Sequence, residues 1–473
     1  MHSQTRPSAL RRCMLNALLL FAAFVVPTLV VGVAGIWQAN AALLKRATQS
    51  FADATLQPPA HDAAKPTVAI IASNQGTEIS DFLAPFEVFA TTGAFNVYAV
   101  APERKFTPFM WGGLDMMPHY SFAELDQLLG ANPDVIVIPN IADPENPVIV
   151  QWIRDHAGPN TLVVSICAGA HVLAATGLVD EGKMTTHQSY FSVIAKKYPQ
   201  IELVRNVRYT DNGNTITSSG ITGGIDASLY TVQKLLGKQA ALKVAKQLNY
   251  PHTQFLDSPL FQVPSLGAEG IVRWLNAGYD WGKQEIGVYL YEGIGEIDLT
   301  AVLDTYRSTF TARTSTFAPV REVIRSRNGL YLVPRADFSN AGDFDRIIVP
   351  GEPSAPVQAL GEWLQSEHGR PLGAALEYLY STEVTTGDSR PFAFDITVVD
   401  LAQRSSELDA RIALNALEYP ADHLRLGGRS WPLQRLASAV AVALVSVATV
   451  WMLQKRVGTR RQAGPVTVKP IAA

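Results

Sequence analysis

Cys167 is the residue whose surroundings most suggest chemistry. It ends an apolar, β-branched run at 160–167 and leads through Ala168, Gly169, Ala170 and His171 into a segment closed by Gly177, which reads as a strand-to-helix turn. A side chain on such a turn is held on a strained elbow. The helix behind it offers backbone N–H groups and a positive dipole end, which lower a thiol's pKa and can stabilise an oxyanion. The small residues Ala168 and Gly169 are what so tight a turn requires. The competing reading is a buried structural cysteine, the commonest fate of a lone Cys. Cys13 is the only other cysteine, so the chain has neither a disulfide framework nor a Cys-based zinc site. No metal-ligand spacing and no phosphate loop stand out, and no cofactor or metal is expected.

Around this turn the sequence resembles a known family. The stretch Ser165-Ile166-Cys167-Ala168-Gly169-Ala170, followed by 173–183 and by Thr185-Thr186-His187, is similar to the elbow region of the ThiJ/PfpI superfamily, the class I glutamine-amidotransferase-like fold. Within it the likeness is greatest to isonitrile hydratases and to the amidase-like domains of AraC-type regulators. Asp81-Phe82-Leu83-Ala84-Pro85-Phe86-Glu87-Val88-Phe89 resembles their Asp-Leu-x-Gly-Pro-x-Glu-Val-Phe motif, with Ala84 in place of glycine. Gly220-Ile221-Thr222-Gly223-Gly224-Ile225-Asp226 resembles their closing glycine-rich motif. The resemblance implies that Cys167 is the nucleophile and Asp81 its acid/base partner, with a carboxyl pKa raised by the neighbouring thiolate. Read from the sequence alone, Asp81 is a helix N-cap, and the two roles are compatible. Ala168 stands where the peptidase-like branch has histidine and isonitrile hydratases have threonine. His171 falls where class I amidotransferases carry a glutamine, and His187 belongs to the Thr-Thr-His motif. Each histidine is read as either a local structural group or a supporting member of the site. The resemblance also implies a homodimer.

The elements that position these residues alternate. Strands are expected at 67–72, 94–100, 133–139 and 160–167, and a helix at 81–92, the βαβ pattern of a doubly wound α/β sheet. The pattern recurs. Asp298 sits in a segment like that of Asp81, the strand expected at 346–350 matches that at 135–139, and Asp226 and Asp395 each lie 24 residues before a Tyr-Pro pair, Tyr250-Pro251 and Tyr419-Pro420. The body therefore reads as tandem flavodoxin-like domains, at 66–256 and 284–423, joined by a linker at 257–283 in which 268–275 could form a short helix. Between Pro139 and Asp226 lie 87 positions, against 45 between Pro350 and Asp395. The second copy is expected to lack the elbow strand and helix, and Asp298 is expected to be a cap.

The ends of the chain are of another kind. A 32-residue run without formal charge begins at Cys13, and a 19-residue run covers 436–454. Neither shows the polar periodicity of an amphipathic core helix. Two membrane spans are expected, at 13–37 and 436–454, with a tether at 38–65. The first run also admits a cleaved signal peptide, because Ala39-Asn40-Ala41 fits a cleavage site, but its length favours an anchor. Arg6, Arg11 and Arg12 in the tail at 1–12, and Lys455, Arg456, Arg460, Arg461 and Lys469 in the tail at 455–473, place both tails in the cytoplasm and the body outside it, periplasmic in a bacterium. The whole chain of 473 residues carries −3, and without the eight basic residues of its tails the remainder carries −11. Such a body is unsuited to nucleic acid. The length excludes a single small module, and the 47% hydrophobic content excludes disorder.

The function expected is a membrane-anchored enzyme. Cys167 and Asp81 act on a small molecule by hydration, amide hydrolysis or aldehyde-adduct chemistry. The alternative is a ligand or redox sensor that keeps the pocket without turnover. An AraC-type regulator would end in a helix-turn-helix domain, whereas here that region is a second α/β copy and a span.

Overall fold

The computed structural model describes residues 9–41, 56–110, 113–263, 267, 269–352, 356–366, 375–381 and 390–462. Its first lobe is built around charge-free apolar runs, which have no polar face to give to water and so form central strands covered on both sides. The sheet comprises β1 (Thr67–Ile71), β2 (Asn96–Ala101), β3 (Tyr120–Ser121), β4 (Val135–Ile138), β5 (Leu162–Ser165), β6 (Tyr209–Asp211) and β7 (Thr215–Ser218), in the order β6-β7-β5-β4-β1-β2-β3, with the shorter, more polar β6 and β3 at its edges. All neighbours are parallel except β6 and β7.

The second lobe has a five-stranded parallel sheet of β8 (Gln284–Tyr289), β9 (Ala312–Ala318), β10 (Ala336–Asp337), β11 (Arg346–Val349) and β12 (Ala375–Tyr378), in the order β10-β9-β8-β11-β12. This order is that of β3-β2-β1-β4-β5. The sequence-based expectation that the elbow strand is deleted is wrong, because β12 occupies the place of β5. The Ile166 amide donates to Ile138 O at 2.9 Å, and the Leu379 amide donates to Val349 O at 2.9 Å. By this register Tyr380 stands where Cys167 stands in the first lobe. The shortfall lies after the strand. The first lobe has there two α-helices, Gly169–Thr176 and Phe191–Lys197, and four short strands, Lys183–Met184, Glu202–Leu203, Tyr209–Asp211 and Thr215–Ser218. In the second, no helix or strand lies among the described residues between Tyr378 and a helix beginning at Ala393.

The helices that frame the thiol, the seam between the lobes and the chain's two ends are α1 (Ala9–Ala41), α2 (Ile79–Thr91), α3 (Gly169–Thr176), α4 (Gly223–Leu236), α5 (Glu269–Tyr279), α6 (Glu296–Ser308), α7 (Ala393–Arg404), α8 (Glu407–Leu417) and α9 (Leu433–Gln462). Each lobe closes its last pair of helices alike: Tyr250 Oη donates to Asp226 at 2.6 Å and Tyr419 Oη donates to Asp395 at 2.7 Å, the corner from the end of the second helix back to the start of the first.

The lobes meet where α2 packs on α6. The second residue of each helix is held by the ninth of the other: the Ile297 amide donates to Glu87 Oε2 at 2.6 Å, and Ser80 Oγ donates to Asp304 Oδ2 at 2.6 Å. Such reciprocity is the mark of an isologous contact, here within one chain. A further sheet is shared, with Tyr331–Pro334 antiparallel to Leu114–Met117.

The segment at 257–283 is a packed element rather than a plain linker. Helix α5 buries Val272, Leu275, Asn276 and Tyr279, and it wedges against α1 and α9. A Cβ on Gly278 would lie 2.7 Å from Gly32 Cα, and one on Gly32 would run into the Trp274 ring, so α5 can lie this close to α1 only with glycine at both positions. Tyr279 Oη donates to Thr28 O at 2.7 Å, and Arg435 at the start of α9 is held by Asp280 at 2.9 Å and Asp409 at 2.8 Å. Cys13–Gln38 and Leu433–Arg456 are long and apolar enough to cross a membrane. The tails at 1–8 and 463–473, the expected tether over 42–55, and 264–266 and 268 of the expected linker lie outside the described residues.

Candidate functional site

Cys167 follows β5 and precedes α3 with φ +56°, in the left-handed region that a side-chain-bearing residue seldom adopts. Holding it there costs of order 1–3 kcal/mol, which the surrounding packing must overcome. The neighbours explain the sequence of the turn. A Cβ on Gly169 would run into Ile138 O, so only glycine lets α3 start against the end of β4. Ala168 is buried, and its backbone amide acts on the Cys167 sulfur. The Cys167 backbone is pinned on both sides: its amide donates to Ser218 Oγ at 3.2 Å, and Thr186 Oγ1 donates to its carbonyl at 3.0 Å.

Asp81 reaches the thiol from α2. It is not the N-cap expected from the sequence. Glu78 caps the helix, its Oε2 accepting the Asp81 amide at 2.6 Å, which leaves the Asp81 carboxyl to accept the Asn140 amide at 3.2 Å through Oδ2 and to interact electrostatically with Cys167. Asp298 likewise is not a cap. It is the third residue of α6 and accepts Tyr380 Oη at 2.7 Å.

The second lobe closes this site. Asp304 interacts with Glu78, and Glu418, in the left-handed region at φ +47° after α8, lies over the turn. Its carboxylate accepts the Gln188 amide at 2.7 Å and the Gly220 amide at 2.6 Å. Its carbonyl accepts from the Arg208 guanidinium and from Thr222 Oγ1 at 3.0 Å. Cys167 is left 4% exposed.

Burial pushes the carboxyls of Asp81, Glu78 and Asp304 above their usual range; Asp304 adds to the rise at both Glu78 and Asp81. The same burial pushes the Cys167 thiol up, with Asp81, Glu78 and Glu418 adding to it and the Ala168 amide opposing. The expected lowering by a helix N-terminus is thus reversed, because loss of solvent and three carboxyls outweigh the end of one eight-residue helix. The resting sulfur is a protonated thiol.

The two histidines separate. His171 faces the opposite side of the sheet, with Nε2 2.9 Å from Glu145 Oε1 and its ring edge-on to Tyr198. It takes no part in the cysteine site. His187 caps a short turn through Ser189 and reaches Ala416 O at 3.1 Å and Glu418 at 3.9 Å, so it belongs to the seam between the lobes. Glu78, Asp304, Glu418 and Ser218 were not anticipated. Glu78 had a local signal, an acidic residue three before Asp81; the others come from distant parts of the chain. Among the described residues, no three His, Cys, Asp or Glu side chains are placed to share a metal ion.

The model of the DJ-1/PfpI family matches residues 66–234. The chain is similar to an isonitrile hydratase of Pseudomonas putida, 30% identical over 187 residues, which cover 38% of this chain and 76% of that protein. It is also similar to an HTH-type transcriptional regulator, CdhR, of Pseudomonas aeruginosa, 33% identical over 101 residues, which cover 21% of this chain and 30% of the regulator. A solved ThiJ/PfpI family protein of Pseudomonas syringae is 20% identical with a TM-score of 0.36, over 46% of this chain and 86% of its own.

Proposed function

Because the chain belongs to the DJ-1/PfpI family, we propose that it is a membrane-anchored tandem member of it in which Cys167 and Asp81 form a thiol site for a small molecule. The observation that carries this reading is the strained turn at the start of α3, which holds a thiol beside a buried carboxyl. With an isonitrile, the Cys167 sulfur bonds to the terminal carbon while its proton passes through Asp81 to that carbon, giving a thioimidate. Water then adds to the thioimidate carbon and displaces the sulfur as a thiol, leaving the N-substituted formamide. With an amide, Asp81 delivers the proton to the departing amine and water then hydrolyses the thioester; with an aldehyde, the proton goes to the carbonyl oxygen and the product is a hemithioacetal on sulfur. A carboxyl with a raised pKa is a better proton acceptor than an exposed one once ionised. The Ala168 amide, directed at sulfur, offsets charge that develops there.

The recurring strand order and the matched tyrosine-to-aspartate bonds support a duplication, with the second lobe as a built-in partner that supplies Asp304 and Glu418. A homodimer is then not needed to complete the site. The apolar lengths of α1 and α9, their meeting on α5 through the second half of one and the first half of the other, and the basic tails support two spans with both termini in the cytoplasm.

A second reading, a ligand or redox sensor, is favoured by the closure of Cys167 beneath Glu418. One experiment separates the two. The full chain in detergent is treated with a thiol-reactive electrophile, with Cys167→Ser as blank, and turnover of isonitriles, amides and aldehydes is measured in parallel. An enzyme turns over at least one class and loses it in both Cys167→Ser and Asp81→Asn. A sensor is labelled without turnover, and Asp81→Asn changes only the pH profile of labelling. A Cys167 that reacts only after denaturation removes both readings.

A further inference from the structure

Helix α5 does more than join the lobes, because both apolar helices place it inside their apolar stretches rather than beyond the ends. On α9 the charge-free run begins at Leu436, and α5 packs on Ala439 and Val442, three and six residues further in. On α1 the apolar stretch ends at Gln38, and α5 meets Gly35 and Gly32, again three and six residues in. At a helical rise of about 1.5 Å per residue, either helix puts the contact about 5–9 Å inside the apolar zone. That is the depth at which an interfacial amphipathic helix sits.

The residues of α5 suit that depth. A helix end in hydrocarbon must find internal partners for its carbonyls. Here Lys283 Nζ donates to Asn276 O at 2.9 Å, and Trp281 Nε1 donates to Gly278 O at 3.1 Å. The Trp281 ring, its one polar hydrogen so occupied, is 68% exposed. On the helix itself Ile271, Trp274 and Gly278 form one stripe, at i, i+3 and i+7. Trp274 and Gly278 lie on α1, whereas Ile271 is 62% exposed, so the stripe runs beyond what α1 covers. The charges nearest the contact are turned inward: Arg273 lies on the Phe310 ring at 5.0 Å, and Asp280 pairs with Arg435 at 2.9 Å. Trp37 and Trp431, both exposed, stand at the same end of the apolar helices, where membrane-interface tryptophans belong. Trp451 marks the other end, about 27 Å from Leu433 along α9 and close to the thickness of a hydrocarbon core.

We propose that α5, with Ile271 and Trp281, is immersed in the half of the bilayer that faces the body, so that the lobes rest on the lipid surface instead of standing off it on two free spans. The inference rests on the two spans proposed above and goes beyond them. Its partner is the boundary between lipid headgroups and acyl chains, which accepts aromatic rings and aliphatic side chains from a helix lying along it. Water would leave Ile271 and Trp281 as an uncovered apolar patch beside α1, whereas lipid covers both.

The test is fluorescence quenching of the full chain in vesicles of phosphatidylcholine. In a Cys13→Ala, Cys167→Ser background, Trp281→Cys, Ile271→Cys, Leu444→Cys and Val148→Cys each carry one environment-sensitive fluorophore. Leu444 lies exposed within the apolar run of α9 and Val148 lies exposed on the first lobe, and since all four side chains are exposed none of these changes opens the core. Lipid with a nitroxide near its headgroup should quench the labels of Trp281→Cys and Ile271→Cys at least about threefold more than that of Val148→Cys. Lipid with a nitroxide near the bilayer centre should quench the label of Leu444→Cys most. If either α5 label behaves as that of Val148→Cys while that of Leu444→Cys is quenched, the immersion of α5 is overturned and the spans stand. If no lipid quenches the label of Leu444→Cys, the spans fall and the inference falls with them.

Discussion

In the first lobe, β5 ends in a thiol at the start of a helix, while in the second the matching strand ends in Tyr380, with no helix beginning among the described residues before Ala393. Both positions face an aspartate three residues into a helix, Asp81 and Asp298, and both aspartates interact with the residue at the strand end. The frame and the acid are therefore common to both lobes. What distinguishes them is the segment after the strand: in one the Ala168 amide, just before α3, is turned to the sulfur, and in the other the Arg390 guanidinium lies on the Tyr380 ring at 3.4 Å. The acids at the closing corner differ in the same way. Asp226 is paired with fully buried Arg208 at 2.5 Å, whereas Asp395 is paired at 2.9 Å with His423, whose side chain is 36% exposed.

The largest expected effect tests whether the helix end makes the thiol site. In a Cys13→Ala, Cys167→Ser background, Tyr380→Cys puts a thiol on the matching strand end. Mass spectrometry should find Cys167-type labelling abolished by Cys167→Ser and not restored by Tyr380→Cys. Labelling of the new thiol at the rate of Cys167 would break the comparison.

Next in size is the closing corner. Arg208→Ala leaves Asp226 buried without its cation and should cost about 3–5 kcal/mol, read from the denaturation midpoint. His423→Ala removes a partner open to water and should cost under about 1 kcal/mol. Equal losses would mean the two corners are energetically alike.

The seam acids give a pH signature. Burial, then Glu296 and Asp298, pushes Glu87 from 4.5 to about 8. A carboxyl with a higher pKa folded than unfolded binds more protons in the folded state, so its stabilisation is complete below about 4.5 and lost as pH rises through about 8. Each tenfold difference in proton affinity between the two states corresponds to at most about 1.4 kcal/mol. Glu87→Gln should flatten the decline in melting temperature between pH 5 and pH 8, and a curve parallel to that of the parent chain would remove Glu87 as its source.

The smallest effect concerns the tyrosines that bind these acids. Tyr250→Phe and Tyr419→Phe should each cost about 1–2 kcal/mol, with Tyr419→Phe the more costly because His423 is a weaker substitute partner for Asp395 than Arg208 is for Asp226. The reverse order, measured by denaturation, would show that the two corners do not differ in this way.

Much of the frame was legible because it rests on local signals. Charge-free β-branched runs marked β1 and β4, the Ile347-Ile348-Val349 run marked β11, and the 24-residue spacing marked the two tyrosine-to-aspartate bonds. β12 was hidden, since Ala375–Tyr378 includes Glu377 and lacks the β-branched run of its counterpart, so the length deficit pointed to the strand when it belongs to the segment beyond it. The caps were obscured for a similar reason. An aspartate near a helix start looks like a cap, but Glu78 stands three residues earlier and takes that bond.

By itself the sequence determined the α/β alternation, the thiol on its turn with the glycine that allows it, the two equal aspartate-to-tyrosine spacings, and the two apolar ends, all properties of residues close together in the chain. Tertiary structure alone decided the state and accessibility of that thiol. Asp304 and Glu418 come from more than 200 residues away to close over the first lobe, and the pKa of a buried group depends on which charges and how much water surround it in space, which neighbours in sequence do not specify.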